Sequence, residues 1–564
     1  MYARMTGTLR LTLMTGVLAV PGVALADLPP ALDRVTTEAA LVIGVSNIND
    51  VLAGIEALEA TGLEGFSDMT DTIKELEGVN LDGSLAMGML LGDEGFEGEP
   101  DMFVILPVLD YGVFRDGLGG QGAGVVEVFI EGEAVYLADI GGGFCIIGST
   151  VEIAERYADV RGSADELEAM IGPTGLKAVD QSDVFVLVNL QALRPFLEEE
   201  FSEKMDGMEM MGPEMAGMGL MIDMYRVLGE RLFEDGRGAV LGVGFGQDGL
   251  TFSAAAQFAE GSRSAALLSG KSDSSSLLAH IPDVPFFMAL AADTSTELFK
   301  AANEFGMEIN RLQGEALGVE VPEYDMSLIE GYALVMGSPP GGVMGGILSA
   351  STVYMASSSP GELVDQYRQM FGQFETIEMP MMSMGATYTE DAASVAGHSV
   401  DTWSMEFQFD QNNPAVIQMQ FVMSLIAGPG GFGGFIAELD RSMVMTMSLN
   451  PRLMESAIEA AEHGVGLGNN PMILAAAEHL PANRALEMYV GVEEMFVMFG
   501  AVAAMMQMPM QVDLPEPVPH IAMGLSIGRG GALGMVFVPR EVLEVAGQLA
   551  DQFPGQGGGM ESDF

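Results

Sequence analysis

The sequence is organised around one local pattern that recurs four times: an apolar strand, a polar capping position and an amphipathic helix. Strands are recognised by alternating and β-branched residues, and helices by apolar residues every three or four positions. The four copies have strands at 41–46, 184–188, 286–290 and 486–490, and helices at 51–58, 193–201, 297–305 and 493–500. The pattern predicts an α+β protein, with an antiparallel or mixed sheet packed against several helices.

The remaining predicted elements fall between these copies in the same order twice, which indicates an internal duplication. Each series closes with a glycine-rich hairpin, with turns at Asp248-Gly249 and Gly530-Gly531. The sequence therefore predicts two tandem homologous halves. Their predicted bounds are 27–265 and 275–553, joined by a linker at 266–274 of exposed-loop composition and followed by a disordered tail at 554–564.

Polar residues at predicted helix starts support this organisation. Ser149 with Glu152 and Thr294 with Glu297 have the spacing of capping boxes. Two further starts place proline at the first helical position, after Ser359 and after Asn450. The whole arrangement resembles uncharacterised exported bacterial proteins built from tandem strand-helix units. The resemblance covers most of the chain but includes no specific motif, so it implies an architecture and no functional residues.

The first 26 residues have the pattern of a cleavable signal peptide. Arg4 and Arg10 precede an uncharged apolar run, which ends in Ala24-Leu25-Ala26. A basic region, a short apolar region and a small-x-small cleavage site occur in the order that export requires. We therefore expect a periplasmic or extracellular protein, the alternative being an anchor that is never cut.

The charge balance restricts the partners. The 564 residues include 80 acidic and 23 basic side chains, for a formal net charge of -57. Such a chain repels phosphate backbones, so nucleic acid is not an expected partner. Cys145 is the only cysteine, which excludes an intramolecular disulfide. Its apolar strand context predicts a small buried hydrophobe and not a nucleophile.

One uncharged stretch, residues 495–512, is long enough to raise the question of a membrane span. It contains Gln507, Pro509 and Gln511. These residues favour a buried helix that runs into a loop. No transmembrane segment is therefore expected after signal cleavage.

Three motifs resemble enzyme or nucleotide-binding signatures, but their contexts argue against them. Gly524-Leu-Ser526-Ile-Gly528 matches a nucleophile elbow, yet a strand follows it and the last histidine, His520, precedes it. The glycines at 117, 119 and 122 follow a helix and precede a strand, the reverse of the dinucleotide-binding order. Gly270-Lys271-Ser272 resembles the end of a P-loop, but Ala265 occupies a required glycine position.

The histidine and carboxylate residues also show no clear metal-binding pattern. No two of the five histidines have i, i+4 spacing on one helix, so a common zinc site is not predicted. His463 and His479 lie near predicted helix ends, where they complement the helix dipole. The acidic loop 93–101 could offer oxygen ligands to calcium, but it lacks the EF-hand order, which favours a solvated loop.

Methionine is the compositional anomaly, with 45 residues and three dense clusters at 205–224, 379–384 and 505–510. Thioethers are soft ligands that select Cu(I). Methionine also fills core gaps and lines adaptable apolar surfaces, and its enrichment throughout the chain favours that interpretation. The weak copper-ligand candidates are Met205, Met208, Met210, Met211, Met215 and Met218.

The resulting hypothesis is an exported, non-catalytic binding or scaffold protein whose ligand is unknown. Candidate partners are an apolar or lipid-like small molecule and a component of the cell envelope. A methionine-rich Cu(I)-binding protein is the alternative, and a serine hydrolase at Ser526 is a third. The sequence assigns no catalytic residue and no cofactor.

Overall fold

The structure is a computed structural model, and its described residues form two compact units. They are residues 28–552 except 62–72, 75, 93–94, 96–97, 99, 131, 199–228, 230, 318–323, 340–341, 374–376, 380–381, 410–419, 421–422, 429–430 and 506–513. Unit 1 is Met1–Ser269 together with Ile527–Phe564, and unit 2 is Gly270–Ser526. The predicted signal peptide, the predicted tail and the methionines at 205–224 lie outside the described residues.

Unit 1 contains an antiparallel sheet in the order β4-β5-β6-β3-β2-β1-β7-β8-β9-β20. Its strands are β1 (Leu41–Val45), β2 (Leu85–Leu90), β3 (Asp101–Pro107), β4 (Val126–Ile130), β5 (Glu133–Gly141), β6 (Phe144–Gly148), β7 (Val184–Asn189), β8 (Gly236–Gly246), β9 (Gly249–Phe258) and β20 (Gly531–Pro539). Its helices with fully described bounds are α1 (Ile48–Glu59), α2 (Tyr111–Gly117), α3 (Val151–Ala158), α4 (Ala164–Asp180), α5 (Arg263–Leu267) and α11 (Arg540–Gln552).

Unit 2 contains an antiparallel sheet in the order β13-β14-β15-β16-β17-β12-β11-β10-β18-β19. Its strands are β10 (Phe286–Ala292), β11 (Gly331–Gly337), β12 (Ala350–Ala356), β13 (Ile377–Met379), β14 (Met382–Val395), β15 (His398–Phe409), β16 (Phe432–Leu439), β17 (Ser442–Thr446), β18 (Arg484–Val490) and β19 (Ile521–Gly528). Its helices with fully described bounds are α6 (Glu297–Leu317), α7 (Pro360–Gln373), α8 (Pro451–His463), α9 (Pro471–Glu478) and α10 (Val492–Met505).

The predicted α+β class is confirmed, with antiparallel pairing throughout the described sheets. Seven strands of unit 1, from β5 to β8 in sheet order, have counterparts from β16 to β19 in unit 2. The order of neighbours is the same in both series. Whether this reflects duplication of one ancestral half stays a prediction.

The end of the chain does not lie where the predicted halves place it. Strand β20 pairs with β9 over nine residue pairs, from Gly531 opposite Gln257 to Pro539 opposite Gly249. Residues 531–552 were expected in the second half, but the strand and the helix that they form belong to unit 1. A hairpin turn predicts the pairing of two strands that are adjacent in sequence, but it does not predict which distant strand pairs with the other edge.

A buried glutamine on β9 connects the kinked helix α4 with the last segment of unit 1. Gly172 has φ 63 inside α4, immediately before Pro173, so the helix breaks there. Gln257 is 7% exposed, and its Nε2 donates to the Gly530 carbonyl at 3.1 Å. The Thr174 hydroxyl donates to Gln257 Oε1 at 3.5 Å. This side chain therefore holds three parts of unit 1 together.

Two helix starts use a different cap from the predicted one. Helix α3 is capped by Thr150, which accepts from the Ile153 amide at 3.3 Å. Ser149 instead bonds to the neighbouring strand, where its hydroxyl accepts from the Met102 amide. The hydroxyl of Thr296, and not that of Thr294, accepts from an amide in the first turn of α6. The predicted Asn450 cap of α8 is confirmed, since its side chain accepts from the Arg452 amide.

The predicted linker is not fully exposed at its C-terminal end. The Ser272 hydroxyl donates to the Asn483 carbonyl at 3.2 Å, and the Ser274 amide donates to the Arg484 carbonyl at 2.8 Å. Ser272 is 4% exposed and Ser274 is fully buried. Small polar side chains suit a loop, but they also fit where a segment must pack closely against other backbone.

Each unit has its own apolar core. In unit 1, Phe103 stacks on Tyr157 at a centroid distance of 4.1 Å, and Cys145 is fully buried. In unit 2, Trp403 is 4% exposed and stacks on Phe371 at 5.2 Å. Trp403 is the only tryptophan and Cys145 the only cysteine. The chain therefore carries one spectroscopic or chemical reporter of folding in each unit.

Candidate functional site

Helix α10 follows β18 across a single glycine. A Cβ at Gly491 would lie 1.8 Å from the Phe286 carbonyl oxygen, so only glycine allows this close approach of two backbones. Glu493 and Glu494 occupy the first turn, where negative charge is favourable. No charged residue follows before the helix ends at Met505.

Helix α10 exposes large apolar side chains to solvent. Val492 is buried at 4% exposure, whereas Val497 is 57% and Phe499 is 49% exposed. These two residues lie two positions apart, so they project from different sides of the helix. Met495 and Phe496 are partly exposed as well. The predicted helix is thus present, but its expected burial is wrong.

A second helix of unit 2 shows the same feature to a smaller extent. On α6, Phe305 is 37% and Met307 is 36% exposed. None of the helices in the described part of the chain combines the length and the apolarity that crossing a bilayer requires. Several large apolar side chains exposed on one helix make that helix a candidate binding surface. Helix α10 is therefore the candidate functional site.

The enzyme-like motifs do not form sites. Ser526 lies within β19, and its hydroxyl donates to the carbonyls of Ala482 and Asn483 at 3.4 and 3.3 Å. It therefore has main-chain partners where a nucleophile would have a histidine. Gly117 ends α2, and Gly119 and Gly122 lie between α2 and β4, in the predicted order of helix before strand.

The histidines are engaged separately. His280 Nδ1 lies 2.9 Å from the Ala461 carbonyl oxygen, and His398 Nε2 lies 3.1 Å from a carboxylate oxygen of Glu462. His463 ends α8, and His479 follows the last residue of α9. Within the described ranges, no three histidine, cysteine or acidic side chains are grouped as metal ligands. The copper candidates Met205, Met208, Met210, Met211, Met215 and Met218 lie outside those ranges, so copper binding stays a prediction.

A small cleft in unit 1 has a volume of about 260 Å³. Its lining includes Tyr111, Asp139 and Glu155. The Tyr111 hydroxyl is buried without a hydrogen-bond partner, and burial raises its pKa. The cleft is smaller than the roughly 300–1,000 Å³ of most small-molecule sites. It therefore ranks behind α10 as a ligand site.

We expect Cys145 to be inert in the folded chain. Burial raises the pKa of its thiol to about 12, and the Asp139 carboxylate adds to this rise. A thiol this basic and inaccessible forms almost no reactive thiolate near neutral pH. Reaction with 5,5′-dithiobis(2-nitrobenzoic acid) should be at least about 100-fold slower in the native chain than in guanidinium chloride. Equal rates would show that unit 1 opens readily around β6.

Comparisons with known proteins provide no further assignment. No protein-family model matches the sequence, and no curated protein matches it. Among solved structures, crystal form III of TP0453 matches with a TM-score of 0.21 and 10% identity, over 42% of this chain and 83% of that chain. Crystal form I of TP0453 matches with a TM-score of 0.22 and 8% identity, over 42% and 80%. At these TM-scores, neither match indicates a shared fold.

Proposed function

We propose that the protein is an exported, non-catalytic binding protein that holds a neutral apolar ligand on α10. The observation that carries this proposal is the exposure of Val497 and Phe499 on a helix without charge beyond its first turn. Burying such side chains against a ligand removes apolar surface from water, which is worth about 25 cal/mol per Å². Export is supported by the signal-peptide pattern of residues 1–26.

The charge distribution selects the kind of ligand. The chain has a formal net charge of -57, and the only ionisable residues of α10 are Glu493 and Glu494. An anionic ligand such as a fatty acid would be repelled and would find no cation on the helix. A neutral, lipid-like molecule meets neither obstacle. The methionine side chains of α10 also adapt to ligands of different shape.

Replacing Phe499 with aspartate tests the assignment. A carboxylate at the contact must be desolvated when the ligand binds, so affinity for the neutral dye N-phenyl-1-naphthylamine should fall about fivefold or more. The measurement is dye fluorescence during titration with the full chain. Val497→Asp should act in the same direction.

Val465→Asp is the matched control, because Val465 is 67% exposed in unit 2 but lies outside α10. It introduces the same charge and should leave dye affinity unchanged. Equal loss of affinity in the control would indicate general repulsion or unfolding. Unchanged affinity in both α10 variants would contradict the proposal.

A further inference from the structure

Two arginines of unit 1 converge on one carbonyl oxygen. Arg34 ends a short 3-10 helix, Pro30–Arg34, and Arg161 lies between α3 and α4. Arg34 Nη1 donates to the Ile140 carbonyl at 3.3 Å, and Arg161 Nη2 donates to the same oxygen. The two guanidinium groups therefore lie side by side.

The surroundings hold both groups in place. Arg161 Nη1 also donates to the carbonyls of Ala158 and Val160. The Arg34 guanidinium lies over the Phe144 ring, 5.8 Å from its centroid. It also lies against the β5–β6 turn, where a Cβ at Gly142 would come within 2.7 Å of Nη2. Both arginines are thus oriented before any ligand arrives.

Neither arginine forms an ion pair within the described part of the chain, although acidic residues outnumber basic ones 80 to 23 in the sequence. Among the described residues, no carboxylate oxygen lies within 4.0 Å of either guanidinium. Arg115, Arg368 and Arg484, in contrast, each have such a contact. Burial and the charge of Arg161 both lower the pKa of Arg34, while the adjacent Asp33 opposes this. Two like charges are therefore held together here, with Asp33 nearby in sequence but with no carboxylate contact among the described residues.

We propose that Arg34 and Arg161 bind a small tetrahedral oxyanion, such as phosphate or sulfate. Guanidinium forks match the oxygen spacing of such anions and form charge-assisted bonds to them. Nε and Nη2 of Arg34 have no acceptor in the described structure, and both side chains reach solvent. The oxyanion is taken as a free solute, and the vesicle experiment below separates it from a lipid headgroup of the same chemistry. This site is independent of α10.

Titration calorimetry of the full chain with inorganic phosphate, at constant ionic strength, tests the site. We expect saturable binding to the parent chain and about tenfold weaker binding to Arg34→Gln and Arg161→Gln, since each removes a charge-assisted donor. Arg263→Gln is the control, because it removes one positive charge from the same unit at an exposed position. Its affinity should match that of the parent.

Several outcomes would overturn the proposal. The first is that phosphate does not bind to the parent chain. The second is that Arg263→Gln weakens phosphate binding as much as the other two variants do. The third is that Arg34→Gln and Arg161→Gln bind phosphate with unchanged affinity while an unreactive Cys145 thiol shows that unit 1 is folded. Binding to phosphatidylcholine vesicles that contain phosphatidic acid tests whether the site takes a lipid headgroup. Binding to these vesicles without binding to free phosphate would contradict a free oxyanion as the ligand.

Discussion

Replacing Gly249 with alanine is expected to destabilise unit 1 by about 3 kcal/mol or more. Gly249 begins β9 with φ 151, a backbone conformation that residues other than glycine rarely adopt. A Cβ there would lie 2.2 Å from the Val538 carbonyl oxygen and 2.9 Å from the Pro539 Cα. Because both contacts are with backbone, β20 must move away from β9 to make room.

The reporters of the two units make this prediction specific. In guanidinium chloride, exposure of Cys145 should shift to lower denaturant concentration, whereas the Trp403 fluorescence transition should stay near that of the parent. Gly132→Ala is the control, since Gly132 has φ 92 with no atom within 4 Å of an added Cβ. Gly132→Ala should lower the free energy of unfolding by only about 1–2 kcal/mol, because only the backbone conformation is unfavourable for alanine. Equal effects of the two variants would show that the β9–β20 contact is not tight.

Replacing Arg484 with methionine is expected to destabilise unit 2 by about 3–5 kcal/mol. Glu487 lies on β18 with 1% exposure, and its Oε2 is 2.7 Å from Arg484 Nε. The Tyr489 hydroxyl donates to the same oxygen at 3.0 Å. Removing the guanidinium leaves a buried carboxylate with only this neutral donor. The loss in free energy of unfolding is measured by Trp403 fluorescence during denaturant titration.

The converse change, Glu487→Gln, should destabilise unit 2 less than Arg484→Met, because glutamine is neutral and Arg484 Nη1 keeps the Ala477 and Pro481 carbonyls as acceptors. Burial raises the pKa of Glu487, and this outweighs the opposing effects of Arg484 and Tyr489. Folding therefore shifts the Glu487 equilibrium towards the protonated carboxyl, which glutamine resembles. A loss as large as that of Arg484→Met would show that the ionised pair is a net source of stability.

The sign of the pH dependence follows from the same shift. The stability that Glu487 contributes is fully present below the carboxyl pKa of the unfolded chain, near 4.3, and is lost as pH rises through the higher folded pKa. The parent should therefore gain stability relative to Glu487→Gln as pH falls from neutral. Comparing the two chains removes the general effect of acid on a chain of charge -57. A difference independent of pH would contradict the raised pKa.

Local features of the fold were predictable from the sequence. Apolar strands next to capped helices gave the α+β class, and the Asn450-Pro451 start is confirmed. The cap at α3 shifted by one residue because Ser149 and Thr150 are both able to cap, and only tertiary contacts select between them. The Ser149 hydroxyl accepts a hydrogen bond from the Met102 amide on β3, so Thr150 caps the helix. Propensity identifies such a boundary but does not fix the capping residue.

The candidate sites depend on information that local patterns lack. Residues 495–505 read as a buried helix because they are apolar, and apolar composition does not reveal whether another element covers Val497 and Phe499. Arg34 and Arg161 are far apart in sequence and meet only because β5 brings Ile140 between them. The pairing of β20 with β9 likewise joins segments that are far apart in sequence.

The pairing of β20 with β9 has a consequence during protein synthesis. Strand β9 leaves the ribosome before all of unit 2, and its partner β20 follows only after unit 2 is complete. At about 5–20 residues per second, the interval is on the order of tens of seconds. Throughout it, one edge of β9 has unpaired backbone donors and acceptors, which are open to pairing with another chain. Crowded synthesis should therefore favour aggregation through unit 1 even where the finished protein is stable.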